Sequence, residues 1–177
     1  RRGDTFSAEY RADASVYELW TDIAAELYGG NRTGVERRFA TTLLIIGGVL
    51  MNVGLIAHDG KKKLMQNFCI AYRGILNKHE LFATATTGRL IEEVTNLTVH
   101  KYLAGPLGGE QQLGSQIEHN LIDMVIFLRD PLNQKTHEPD LFNVMRLCDM
   151  HNIPLATNLA TAELLVMALD RGDLEWR

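Results

Sequence analysis

From Asn52 onward, short apolar runs alternate with longer stretches in which apolar residues recur every three or four positions. Val53-Gly54-Leu55-Ile56-Ala57, Glu80 to Thr84, Val99 to Leu103, Met124 to Leu128 and Ile153 to Thr157 have the length and character of buried parallel strands. Met124-Val125-Ile126-Phe127-Leu128 is wholly apolar, which predicts an interior position in the sheet. Between the runs, Leu64, Met65, Phe68, Ala71, Tyr72, Ile75 and Leu76 fall on one helical face. Leu90, Ile91, Val94 and Leu97 do the same over Arg89 to Leu97. Further helices are predicted over Gln111 to Leu121, Leu141 to Met150 and Thr161 to Leu169, the last with Thr161 as N-cap. Repeated strand–helix alternation implies right-handed crossovers and an α/β fold, an open, mainly parallel five-stranded sheet with helices on both faces.

The first fifty residues read differently. Arginines are frequent, Gly29-Gly30-Asn31 interrupts them, and Val16 to Leu27 predicts one short amphipathic helix in which Trp20 packs. The apolar run Leu43 to Ala57 is broken by Gly47, Gly48, Asn52 and Gly54. It is shorter than the ~20 residues a spanning helix needs, and it lies too deep in the chain for a signal peptide. No membrane partner is expected. The chain has 177 residues, 46% hydrophobic and 23% charged, enough for one domain with a proper core. Its net charge of −4 argues against a nucleic-acid partner. Cys69 and Cys148 lie in apolar helical patterns and read as buried free thiols, which suits a reducing, cytoplasmic compartment. No Cys/His spacing suits zinc, no Gly-Lys-Ser/Thr loop is present, and no G-x-G-x-x-G follows the first strand.

In open parallel sheets, ligands sit at the carboxyl ends of the strands. His58 and Asp59 follow the first predicted strand, and Thr84, Thr86 and Thr87 follow the second. Gly105 and Glu110 follow the third, and Asp130, with His137 beyond it, the fourth. In Gly105-Pro106-Leu107-Gly108-Gly109-Glu110, glycine lets main-chain N–H groups approach a ligand closely, and Glu110 opens a helix. There it either caps that helix or acts as a base over a small anion. The threonines of Thr84-Ala85-Thr86-Thr87-Gly88 either cap the next helix or cradle a phosphate. Lys61, Lys62 and Lys63 oppose a helix dipole; Lys62 faces the His58 loop, where an anion would relieve the penalty. His58 and His137 could polarise a carbonyl, with a carboxylate such as Asp130 orienting the imidazole. His79, His100, His119 and His151 fall away from that edge and read as surface residues.

Taken together, several motifs resemble methylglyoxal synthase. They are His58-Asp59 with Lys62, Ala83-Thr84-Ala85-Thr86-Thr87-Gly88, Gly105 to Gln112, Arg129-Asp130-Pro131-Leu132, His137-Glu138-Pro139-Asp140 and Ile153 to Asn158. The resemblance runs from Met51 to Arg177. It implies a cytoplasmic, homohexameric lyase of Rossmann-like fold that converts dihydroxyacetone phosphate to methylglyoxal and inorganic phosphate through an enediolate. It implies no metal or organic cofactor, and inhibition by phosphate. By matching position, Glu110 is the catalytic carboxylate, and His58 and His137 contact substrate. Lys62, Thr84, Ala85, Thr86, Thr87, Ala104 and Gly105 bind it, largely at the phosphate. Asp130 and Asp140 are acidic residues of the surroundings.

Three positions depart from the family pattern. Glu110 stands where Asp is usual, and the extra methylene moves the carboxylate by roughly an ångström unless the backbone compensates. Ala85 replaces a glycine, which strains the turn by about 1–2 kcal/mol if φ is positive there. Ala104 replaces a serine, deleting a hydroxyl and keeping the N–H. The expectation is an active enzyme, slower if the reach is not compensated. Residues 1–50 have no counterpart in the family, whose members commonly begin where Met51 stands. They are expected to be read from upstream DNA, with residues 51–177 forming the catalytic domain. The same fold also serves as a regulatory module of carbamoyl phosphate synthetase and as a catalytic domain in purine biosynthesis, and triose phosphate isomerisation is separated only by the fate of the phosphate.

Overall fold

Parallel strands buried on both faces need apolar side chains on alternate sides, and this chain supplies them in five places. The computed structural model describes residues 49–132 and 141–177. The expected helix at Val16 to Leu27, with Trp20, and the positions His137 and Asp140 lie outside the described residues. Strands β1 (Asn52–Ala57), β2 (Glu80–Thr84), β3 (Val99–Tyr102), β4 (Met124–Leu128) and β5 (Leu155–Ala156) form one sheet in the order β3-β2-β1-β4-β5. Every ladder is parallel, with Leu55 opposite both Ala83 and Ile126.

Helices cover both faces. Helices α1 (Lys62–Ala71), α3 (Ala85–Thr95) and α6 (Leu159–Arg171) bury Met65, Phe68, Ile91, Ala162 and Val166 against Val53, Leu55, Ala83, Met124 and Ile126. Helices α4 (Gly109–Glu118) and α5 (Leu141–Met150) bury Leu113, Ile117, Val144 and Leu147 against Ile56, Val125 and Phe127. The period-two split of β1 and β4 between these cores is the pattern that marked them as strands. Full burial of a Leu, Ile or Phe stabilises by roughly 1.5–3 kcal/mol each, so interior β4 contributes far more than two-residue β5.

Element ends moved for reasons of hydrogen bonding. The helix expected through Leu76 breaks at Tyr72 (φ −105°, ψ 20°) into α1 and a single turn, α2 (Arg73–Leu76), leaving Ala71 exposed. Helix α3 starts at Ala85, four residues before the expected Arg89, so the threonines form its first turn rather than a loop before it. Its buried face is Thr87, Gly88, Ile91 and Thr95, and Val94 is exposed. Asn158, not Thr161, caps α6, accepting the Thr161 N–H at 3.1 Å. β5 is short because the Ile153 N–H goes to the Cys148 carbonyl and Pro154 has none. Helices α3, α4 and α5 are each followed by a left-handed asparagine, Asn96, Asn120 and Asn152.

Cys69 and Cys148 are buried free thiols in opposite cores, so no bridge can join them. Burial pushes each up to about 12. Among the described residues, no helix is long and apolar enough to cross a membrane.

Candidate active site

The sheet order reverses between β1 and β4. On one side the chain proceeds through β2 and β3 with α1 and α3 on one face; on the other, α4 and α5 occupy the opposite face. A crevice opens at the carboxyl ends of the strands at such a reversal. His58 and Asp130 follow the two strands that flank it.

His58 is 1% exposed, and its N–H extends the ladder to the Leu128 carbonyl at 3.1 Å. Its ring meets Phe127 edge-on, with centroids 5.2 Å apart, a support that the register of Ile56 against Phe127 explains. Nδ1 accepts the main-chain N–H of Asp130 at 2.9 Å. A neutral imidazole accepting at Nδ1 carries its proton on Nε2, which makes Nε2–H a donor. At Nδ1 the partner is thus the peptide group of Asp130. The Asp130 carboxylate accepts the Leu132 N–H at 3.2 Å and lies against Gly60, where an added Cβ would stand 2.7 Å from Oδ2.

Lys62 opens α1, and its Nζ lies 2.5 Å from Oδ1 of Asp59. Asp59 belongs to the 3-10 turn Asp59–Lys61, so a residue of the chain, not only a bound anion, relieves the ammonium at the helix start. Lys61 is half-buried and Lys63 exposed.

At the end of β2, Thr84 occupies the N-cap position of α3 in extended conformation, and no side chain caps the helix. Neither Thr86 nor Thr87 is the cap. Thr84 and Thr87 are buried with their hydroxyls 3.4 Å apart, whereas Thr86 is exposed. Ala85 is helical, and positive φ among the described residues falls only at Asn96, Asn120, Asn152, Gly108 and Gly172. The strain expected of alanine at this turn is absent.

After β3, Ala104 leads into a 3-10 turn, Gly105–Leu107, and its carbonyl accepts the N–H groups of Leu107 (2.9 Å) and Gly109 (3.2 Å). Gly108 takes φ 96°, which favours glycine. A Cβ on Gly109 would lie 1.7 Å from the Leu103 carbonyl oxygen, so only glycine fits. Glu110 is the second residue of α4. The loops after β2 and β3 meet at Leu103, whose carbonyl accepts the Ala85 N–H at 3.3 Å and whose N–H donates to Oε1 of Gln112 at 2.9 Å. The sequence reading placed Phe127 in a strand and Gln112 in the glycine motif but gave neither a role, since nothing local marks a ring support or a loop tie.

The other histidines differ among themselves. His100 and His119 are exposed, His151 is half-buried, and His79, also half-buried, accepts the Met51 N–H at 3.3 Å through Nδ1.

The chain is similar to known proteins over most of its described length. Residues 66–157 match the MGS-like domain. Methylglyoxal synthase of Caldicellulosiruptor saccharolyticus is 68% identical over 127 residues, 72% of this chain and 90% of that protein. The methylglyoxal synthase of Alkaliphilus metalliredigens is 59% identical over 127 residues, 72% of this chain and 95% of its own length. A crystal structure of methylglyoxal synthase from Elizabethkingia anophelis shares the fold at TM-score 0.64 and 43% identity, over 66% of this chain and 77% of that one. With more than half the residues identical over most of the length of these relatives, and the fold shared, the chain belongs to the methylglyoxal synthase family.

Proposed function

We propose that the chain is a carbon–oxygen lyase that converts dihydroxyacetone phosphate to methylglyoxal and inorganic phosphate. The observation that carries the reading is the Asp130 N–H to His58 Nδ1 hydrogen bond, which in a neutral ring keeps the proton on Nε2 and so makes that nitrogen a donor for a substrate oxygen. In this reading Glu110 removes a proton from the hydroxymethyl carbon. The electron pair forms a carbon–carbon double bond to the carbonyl carbon, whose oxygen becomes the enediolate oxyanion held by His58 and His137. The hydroxyl oxygen on the deprotonated carbon then loses its proton and forms the aldehyde carbonyl. The double bond shifts to join the central carbon to the far carbon, and phosphate leaves from that far carbon with the electron pair of its C–O bond. The remaining enol takes a proton at its methylene to give methylglyoxal. Lys62, Thr84, Ala85, Thr86, Thr87, Ala104 and Gly105 hold the phosphate, through the ammonium, hydroxyls and main-chain N–H groups. They also set the breaking C–O bond perpendicular to the enediolate plane, which separates elimination from isomerisation. Asp130 supports His58.

Inhibition by phosphate follows because the leaving group fits the cradle it departs from. A homohexamer is carried by the family resemblance, and a cytoplasmic location by that resemblance and the buried free thiols. Residues 51–177 form the catalytic domain, in keeping with the start of β1 at Asn52, and residues 1–50 lie outside it.

Incubation with dihydroxyacetone phosphate, with assays for phosphate, methylglyoxal and glyceraldehyde 3-phosphate, tests the reading. Equal amounts of methylglyoxal and phosphate are expected. Glyceraldehyde 3-phosphate without phosphate would make the chain an isomerase, and no turnover would leave a binding module.

A further inference from the structure

β3 ends at Tyr102, so Leu103 is the first residue of that chain segment without a ladder partner. Its peptide groups are instead shared between two other elements. The Leu103 carbonyl accepts the N–H of Ala85, the first residue of α3, and the Leu103 N–H donates to the side chain of Gln112 in the first turn of α4. Gly109 presses on the same carbonyl, with no space for a side chain, and the Gln112 N–H closes on the Gly108 carbonyl at 3.1 Å. Leu103 is thus the one described residue whose main chain joins the threonine-bearing turn to the turn that carries Glu110.

We infer that Gln112 is a positioning residue: its side-chain carbonyl clamps the Leu103 peptide to the first turn of α4, and so fixes the separation between Glu110 and the start of α3. The inference rests on the reading of Glu110 as base and the α3 start as phosphate cradle. Water can satisfy the Leu103 N–H if the clamp is lost, because the bond lies at an exposed position. Water cannot tie that peptide to α4. Loss of the clamp therefore costs alignment more than stability, and slack on the order of an ångström costs about 100-fold in rate.

Two substitutions separate alignment from folding. Gln112→Met keeps the length of the side chain and removes the strong acceptor, and Gln112→Glu keeps an acceptor. Gln112→Met is expected to lower kcat for phosphate release about 10- to 100-fold, with KM changed less than about threefold. Its Tm stays within about 2 °C of the parent, and the Leu103 amide exchanges faster with solvent deuterium. Gln112→Glu is expected to hold kcat within about threefold of the parent, while repulsion of the dianionic substrate raises KM. The clamp is overturned if Gln112→Met keeps kcat within about twofold, if Gln112→Glu is as slow as Gln112→Met, or if Tm falls by more than about 10 °C, which marks a structural role. An active parent with an equally active Gln112→Met removes only the clamp. A parent that releases no phosphate removes the functional reading, and the positioning role falls with it.

Discussion

A buried neutral imidazole that accepts a peptide N–H at Nδ1 carries its own proton on Nε2, and His58, where the sheet order reverses, accepts the N–H of Asp130 in that way. Such a donor is useful only beside a base. Glu110→Gln is expected to lower kcat by about 10²–10⁴-fold with little change in KM, because proton abstraction is lost and binding is not. Glu110→Asp tests the longer reach of glutamate, since Asp is usual in the family. Faster turnover is expected, and unchanged turnover in steady-state kinetics would show that the backbone already compensates. At this scale the sequence placed His58 directly after the first strand, and it named a carboxylate to orient the ring but not the peptide N–H that Nδ1 accepts. A side chain can be recognised by its type. A peptide N–H cannot, because every non-proline residue carries one.

Elements are held to each other at a few points with no slack, and two give measurable consequences. At the start of α4, Gly109→Ala places a Cβ where the Leu103 carbonyl stands, so the first turn must move away from β3. Phosphate release is expected to fall by about 100-fold or more, with a lower Tm, because both alignment and packing change. At the opposite end of the sheet, His79 joins the start of β2 to Met51 ahead of β1. Burial, with Lys78 beside it, holds the imidazole below its ordinary 6.5, while Asp170 and Asp123 pull the other way. The folded state stays neutral where the unfolded state takes up a proton, so this contribution is present above 6.5 and is lost as the pH falls from there through the folded value. Melting temperature is expected to drop as the pH falls below 6.5, and the His79 share of that drop disappears in His79→Gln. Helix starts were the least legible features at this scale. The threonines of α3 look like a loop because hydroxyl residues favour caps and turns, yet packing of Thr87 and Gly88 draws the helix back to Ala85.

Among the described residues two apolar layers flank the sheet, and each hides one thiol. Cys69 and Cys148 should resist a thiol reagent in the native state and react promptly in denaturant, since both are buried and their ionisation is pushed up to about 12. Labelling of either in the folded protein would show that its layer opens. The alternation of strands and helices and the interior place of β4 were readable from the chain alone. Those properties follow from side-chain spacing, which records locally which face is buried. Tertiary structure alone decided where helices begin, how short β5 is, which group steadies His58 and that Leu103 joins two loops. Each is settled by where a peptide N–H or carbonyl finds its partner, and that partner can be 72 positions away, as Asp130 is from His58.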